Sequence, residues 1–442
     1  MTSHASQKTE EPHVLILGAY GLLGAGIATH LSATRMKVTG FGRDLWTARR
    51  VLPEVNWIID DLRTYCKTEA WDGTLEGISV VVNCSGALQD GPNDELECIH
   101  HEMIAALATA CSKRGIQLIQ ISAVGASANA STEFLSSKAR GDDAIKEADG
   151  RYTIFRPGLI LAPSAYGGTA LLRMLAAIPI FHAVSFPKTR IQTIALSDIC
   201  YAVELAIIGK LPDKFECDLV EEQTQNLSDL VIKLRSWLGF KAAKFKLTFP
   251  KTATHVISKC ADVLSWMGWK TPLRSTSIKV LQDGIVGDPT PWNSLNLFEI
   301  SPLSQTLSRM RATAEDRLSA RMSVMLPFLV GALSLFWMLS GIIGLISIDE
   351  AAAILKQVGW QQQLAIFSVL FWAIVDIALG CAVLFKKFAK AACYGMVITS
   401  VIYLVASSIF TPQLWLDPLG PLVKILPAII LALVTSITLE NR

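Results

Sequence analysis

Residues His13 to Gly24 read HVLILGAYGLLG. Val14 to Leu17 is an apolar run of strand length. Gly18, Gly21 and Gly24 follow at a spacing of three, and Ala25-Gly26-Ile27-Ala28 then continues as a helix would. A strand, a glycine turn and a helix in that order bind a diphosphate. The first glycine permits the tight turn, the second lets backbone approach the pyrophosphate, and the third lets the helix pack close on the strand. The helix start adds free N–H groups and a positive dipole end. Because the spacing is GxxGxxG rather than GxGxxG, the flanking strand and helix carry the argument. They predict a dinucleotide site, with a plain turn as the alternative; Tyr20, Leu22 and Leu23 lie in the same turn and are expected to contact the cofactor.

Downstream, apolar runs alternate with helical segments, which predicts a doubly wound parallel α/β sheet. Lys37 to Gly42 reads as the second strand, and Arg43 follows it. An acidic residue there would bind the ribose of NAD(H), whereas an arginine accommodates the 2′-phosphate of NADP(H). Arg43 therefore favours NADP(H), with NAD(H) as the second choice and a solvated surface arginine as the alternative. Val55 to Ile59 is a third strand, and Asp61-Leu62 after it stand where the adenine edge is expected. Ser79 to Asn83, apolar as in a sheet covered on both faces, ends in Ser85-Gly86-Ala87. Those small residues lie at the carboxyl edge where open α/β sheets bind ligands. A helix from about Asn93 to Arg114, a fifth strand from Gln117 to Ile121 and a sixth from Tyr152 to Arg156 complete the pattern.

The segments GAYGLLG, NCSGA, ISAVG, SSKARGDDAI and FRPGLIL occur in the order found in the short-chain dehydrogenase/reductase superfamily. Over about residues 12–300 the chain resembles its extended and atypical members, including the group with the accessory NADPH-binding subunit of respiratory complex I. The resemblance implies a Rossmann fold and nicotinamide chemistry. In that family a lysine binds the nicotinamide ribose and lowers the pKa of a tyrosine four residues earlier, which passes a proton to the substrate oxygen. A serine after the fifth strand helps to hold that oxygen. Lys138 matches the lysine and Ser122 the serine, so both are the catalytic candidates. Arg156-Pro157-Gly158 resembles the turn under the nicotinamide, where Pro157, Gly158 and Leu159 are expected to contact the cofactor. The tyrosine position holds Phe134, whose ring neither donates nor accepts a proton. Tyr166 is a candidate phenol from another direction, or a loop anchor.

The other titratable residues suggest structural roles. Asp198 reads as an N-cap. His100 and His101 are adjacent on a helix, where only one can face inward, so a metal pair is not expected. The nine cysteines are scattered with no CxxC pair, which argues against a zinc site or disulfide framework. The net charge of +2 does not point to nucleic acid. Trp266, Trp269 and Trp292 suggest ordered loops near a substrate entrance or a bilayer surface, or core positions.

Hydrophobic residues make up 51% of the 442, and the mean hydropathy is +0.40. The excess follows Met322. After a basic amphipathic stretch from Ser304 to Met322, four spans appear, Ser323 to Ile348, Leu364 to Phe385, Ala391 to Phe410 and Leu419 to Leu439. Each is long enough to cross a hydrocarbon core of roughly 30 Å. This predicts an all-α four-helix transmembrane domain over residues 304–442, after a nucleotide-binding domain over residues 1–303. Through Trp337-Met338-Leu339-Ser340-Gly341 and Asp376-Ile377-Ala378-Leu379-Gly380 it resembles the DoxX-like family. The arginines before the first span, Lys386, Lys387, Lys390 and Arg442 fall on one side, which predicts a multi-pass cytoplasmic (inner) membrane protein with both termini in the cytoplasm. The polar first eleven residues have no apolar core of a signal peptide, which agrees. Asp376 lies within a span and is a functional-site candidate with Lys424 as its partner; the structural alternative is a protonated carboxyl hydrogen-bonded to a Ser or Thr on a neighbouring helix, such as Thr399 or Ser400.

Together these features predict a membrane-anchored NADP(H)-dependent oxidoreductase acting on a quinone or another apolar, lipid-like small molecule. The alternative is a non-catalytic NADPH-binding module that serves as a structural or redox-sensing element. The expected partners are the lipid bilayer and that small molecule, without nucleic acid or metal.

Overall fold

The chain is described here from a computed structural model that covers residues 11–86, 95–165, 167–247, 250–269, 273–418 and 420–440. Seven strands form one sheet: β1 (His13–Leu17), β2 (Lys37–Gly42), β3 (Asn56–Ile59), β4 (Val80–Asn83), β5 (Gln117–Ile121), β6 (Tyr152–Pro157) and β7 (Phe215–Leu219). Their order is β3-β2-β1-β4-β5-β6-β7, with every neighbouring pair parallel. β7 lies in a stretch where the sequence carried no readable motif.

The near-continuous apolar strands follow from having a core on each face. In β1, Val14 and Ile16 enter one cluster while Leu15 and Leu17 enter the other; β4 divides the same way, with Val80 and Val82 opposite Val81. Successive side chains of a strand point to opposite faces, so both parities must be apolar. The strand order reverses between β1 and β4, and such a switch point opens a crevice beyond the carboxyl ends of the strands.

The helix expected up to Arg114 is not uniform. A π turn over Cys98–Glu102 leads into the helix Met103–Arg114; residues 93 and 94 lie outside the described segments. Asp198 is also not an N-cap: that place falls to Ala195, and Asp198 sits within the first turn of Leu196–Ile207. Its buried Oδ2 accepts from the Ser301 N–H at 2.8 Å.

The chain divides into two compact units, Met1–Lys259 with Pro272–Asp316, and Cys260–Thr271 with Arg317–Arg442. The basic stretch breaks into helices Leu303–Arg309 and Ala314–Ile346. At the break, the Thr313 N–H donates to Asp316 Oδ2 (2.8 Å) and the Asp316 N–H to Thr313 Oγ1 (3.2 Å), a reciprocal cap that starts a new helix.

Ala314–Ile346, Gln362–Ala382 and Lys386–Phe410 are long and apolar enough to cross a membrane. The fourth expected span forms a shorter helix of 16 residues, Ile425–Glu440. Its late start puts Pro427 in the first turn, where a missing N–H breaks no helical bond. The three tryptophans separate: Trp292 is buried against Phe155 and Phe298, Trp269 donates to the Leu384 carbonyl within the second unit, and Trp266 is exposed.

Candidate dinucleotide site

The chain leaves β1 at Gly18, whose φ is +70°. A Cβ there would lie 3.1 Å from Ser85 Cα and 3.2 Å from the Cys84 carbonyl oxygen, because the exit from β4 passes directly against it. Gly24 is closed in by backbone as well: a Cβ would lie 2.7 Å from Ala19 Cα. The turn is fastened by the Gly21 N–H, which donates to Gly18 O at 2.9 Å. Helix Leu22–Ala33 then begins with no side-chain cap, so its first N–H groups face the crevice without a protein acceptor from a capping residue.

A cavity of about 360 Å³ opens beside this turn. Gly21, Leu22, Leu23, Ser85, Gly86, Ser122, Lys138, Pro157, Gly158 and Leu159 all line it. Thus ten candidates chosen from separated stretches of sequence converge on one space. Gly18 and Gly24 shape the turn behind it. Tyr20, Arg43, Asp61 and Leu62 lie outside the cavity lining, toward the ends of β2 and β3, and Ala87 and Tyr166 lie outside the described residues.

The Tyr20 ring covers Gly42, and its hydroxyl accepts the Arg43 N–H at 3.0 Å. Asp44 next to Arg43 caps the following helix by accepting from the Thr47 N–H at 2.8 Å. Asp61 is bound to Arg63, whose Nη2 lies 2.6 Å away, and this pair holds the carboxyl below its usual range.

Lys138 is nearly fully buried, and its Nζ donates to the Ile121 carbonyl at 3.1 Å. Burial pushes its pKa down, against the pull of Asp142 and Cys84. Nζ stands 5.8 Å from the centre of the Phe134 ring. The Ser122 hydroxyl donates to Asp142 Oδ2 at 2.8 Å. Asp142 also accepts from Arg156 Nε at 3.2 Å, and Arg156 Nη2 reaches Glu216 at 2.6 Å. Asp142 Oδ1 is buried without a hydrogen-bond partner among the described residues, and burial pushes that carboxyl up.

Sequence reasoning did not find Asp142 or its pairing with Arg156, nor the far cavity wall of Val280, Leu281 and Ile285. Their grouping is tertiary and leaves no local pattern. His100 is the inward member of the adjacent pair: its Nδ1 meets Ser137 Oγ at 2.9 Å, and its pKa is pushed down to about 3, chiefly by burial and then by Lys138. His101 instead pairs with Glu97 at 2.7 Å. His182 is held by Ser228 at 2.9 Å.

In the second unit, Asp376 is buried and accepts from Ser340 Oγ at 2.9 Å and Tyr403 OH at 3.0 Å. Ser340 is a serine on a neighbouring helix, as the structural alternative expected, but neither partner is Thr399, Ser400 or Lys424. Tyr403 stands one helical turn beyond Thr399 and Ser400, and Ser340 comes from the preceding span.

Residues 18–173 match the NAD(P)H-binding family, and residues 334–433 match the DoxX-like family. With its three apolar helices, the latter makes this a membrane protein. Two curated relatives are a ceramide reductase of Caulobacter vibrioides, 26% identical over 42% of this chain, and the mitochondrial NADH-ubiquinone oxidoreductase 40 kDa subunit of Neurospora crassa, 27% identical over 43%. The matches span 57% and 50% of those proteins. Among solved structures, the Bordetella bronchiseptica enzyme WbmG in complex with NAD and UDP superimposes with a TM-score of 0.53 at 15% identity, covering 71% of this chain and 97% of WbmG. WbmH from the same organism, in complex with NAD+, gives 0.52 at 16%, covering 69% and 98%. These likenesses show the fold. The chain joins a Rossmann domain, similar over residues 18–173 to the NAD(P)H-binding family, to a C-terminal helical region similar over residues 334–433 to the DoxX-like family.

Proposed function

We propose that the protein is an NADP(H)-dependent oxidoreductase that reduces an apolar or lipid-like substrate at the membrane. One observation carries this reading: the glycine turn and Lys138 share a cavity whose far wall is Val280, Leu281 and Ile285. The first turn fits a dinucleotide, since it offers uncapped N–H groups at a place where only glycines fit. Arg43, with Arg49 and Arg50 on the next helix, favours the 2′-phosphate of NADP(H). A bound NADPH supplies a hydride to an electrophilic carbon of a carbonyl or quinone.

The chain's own residues then have limited roles. Lys138 is the sole charged side chain among those lining the cavity; it would bind ribose hydroxyls, and its ammonium, or a water held by it, would deliver the proton in the absence of a phenol. Phe134 is a wall of the cavity. Ser122 is committed to Asp142 and acts as a positioning residue.

The named relative makes a ceramide-type lipid carbonyl the first substrate to try, followed by other lipid carbonyls and quinones. The full-length protein in detergent should oxidise NADPH with at least one of these acceptors, and Lys138→Met should abolish it. A second reading, a non-catalytic NADPH-binding module, is favoured by Phe134 and by the bond from the Ser122 hydroxyl to Asp142. Tight NADPH binding without turnover on every acceptor would establish that reading instead. The lysine and arginine distribution places both termini in the cytoplasm; a reporter fused after Arg442 that signals from the external side would overturn this topology.

A further inference from the structure

Cys66 and Cys98 are 32 positions apart in sequence, yet their Sγ atoms lie 2.9 Å apart. A carboxylate oxygen of Glu102 joins them, so that the three ligand atoms lie within 4.8 Å of one another. The backbone explains the grouping. Cys98 and Glu102 open and close the π turn, and residues four apart on a helix lie on one face. Such turns are rare and concentrate at functional sites. Cys66 arrives from the loop after β3 and faces that turn.

We propose that Cys66, Cys98 and Glu102 form a binding site for a thiophilic divalent cation, with Zn²⁺ as the natural occupant. Two thiolates and one carboxylate suit zinc and leave a fourth position for water. Tetrahedral zinc needs the sulfurs roughly 3.7 Å apart, so they must separate by slightly under about 1 Å. Glu102 is exposed and Cys66 half-buried, which provides both an entry path and a ligand free to adjust. Binding releases the two thiol protons. Because a cation displaces those protons, the site binds more tightly as pH rises. The site lies outside the dinucleotide cavity. It would tie the segment after Asp61 and Leu62 to the turn that carries His100, and it stands whether or not the chain is an oxidoreductase.

The test is titration of the reduced, chelator-stripped full chain in detergent with Co²⁺, followed by Zn²⁺. The expected result is one Co²⁺ per chain with a thiolate-to-cobalt charge-transfer band that Zn²⁺ displaces. Cys66→Ser and Cys98→Ser should each weaken binding more than about 100-fold, beyond the range for losing an outer partner. Glu102→Gln should weaken it about tenfold while the band remains, and Cys260→Ser should change nothing. No stoichiometric band in the wild-type chain, or a band that survives both cysteine substitutions, overturns the proposal. If circular dichroism shows that a cysteine variant does not fold, the wild-type and Glu102→Gln titrations decide.

Discussion

Gly21→Ala and Gly24→Ala separate cofactor binding from folding at the same turn. At Gly21 the backbone is ordinary, with φ −71° and ψ 171°, so alanine meets no conformational strain. Its Cβ would lie 3.1 Å from the Gly18 carbonyl oxygen, a tight contact that a small shift relieves. The reduced entropy of the unfolded chain offsets part of that, so stability should change by less than about 1 kcal/mol. The methyl group would, however, stand where a pyrophosphate must approach the backbone. Loss of one hydrogen bond to a charged group is worth about 1.5–3 kcal/mol, so the NADPH Kd should rise about 10- to 150-fold. Gly24→Ala differs, because its Cβ would meet Ala19 Cα at 2.7 Å and the Gly18 carbonyl carbon at 2.9 Å. These are backbone atoms, and relief means moving the helix off the strand, at about 3 kcal/mol or more. NADPH titration by calorimetry and thermal unfolding of each variant read the two effects. Gly21→Ala with a Kd within about twofold of wild type would refute the claim that this turn cradles a diphosphate.

Four further outcomes are expected. Arg43→Ala should weaken NADPH at least about tenfold in a binding titration while leaving NADH almost unchanged; equal losses would remove Arg43 from cofactor choice. Lys138 titrates below the ordinary lysine value of about 10.4, so turnover should fall as pH rises through that lowered midpoint. Burial opposes the charged form, so folded-state stability should rise over the same interval up to the unfolded value. Lys138→Arg stays charged and should shift the alkaline limb of the rate profile upward; an unmoved limb would assign it to another group. Ser122→Ala leaves Asp142 Oδ2 with Arg156 alone and should cost about 1–3 kcal/mol in urea unfolding, and a neutral effect would show that the bond has no structural weight. Tyr403→Phe removes a donor from Asp376 and should destabilise the membrane domain by about 0.6–1.7 kcal/mol, read as detergent-denaturation midpoints.

What could be read from the sequence was local. The turn from Gly18 to Gly24 was legible because strand, turn and helix are contiguous and each glycine has its own steric reason. Lys138 and Ser122 were legible through segment order. The pairing of Asp142 with Arg156 and the wall at Val280 were not, because both depend on tertiary placement that leaves no local pattern. Asp198 was misread because a carboxylate before an apolar helical run looks like a cap wherever it stands; Ser301, 103 positions later, is what it serves. The break before Ala314 was missed, although the Thr313 and Asp316 pattern that makes it is local.

The two departures at the site bear on each other. Phe134 removes the phenol, and Asp142 takes the Ser122 hydroxyl. A substrate carbonyl in this cavity would therefore lack both usual donors, and what would remain is the buried Lys138 with Ser85, Thr169 and Ser277 on otherwise largely apolar walls. Fewer polar groups mean less discrimination between a hydroxylated ligand and a greasy one, since specificity for polar groups comes from partners that would otherwise be left unpaired. They also leave the ammonium in a low-dielectric setting, where a single charge acts more strongly on a developing alkoxide or quinol oxygen. This combination suits a substrate delivered from a bilayer better than one drawn from water. It also makes Lys138 the residue on which the catalytic and non-catalytic readings divide, because a module that only stores cofactor needs no proton source beside the nicotinamide.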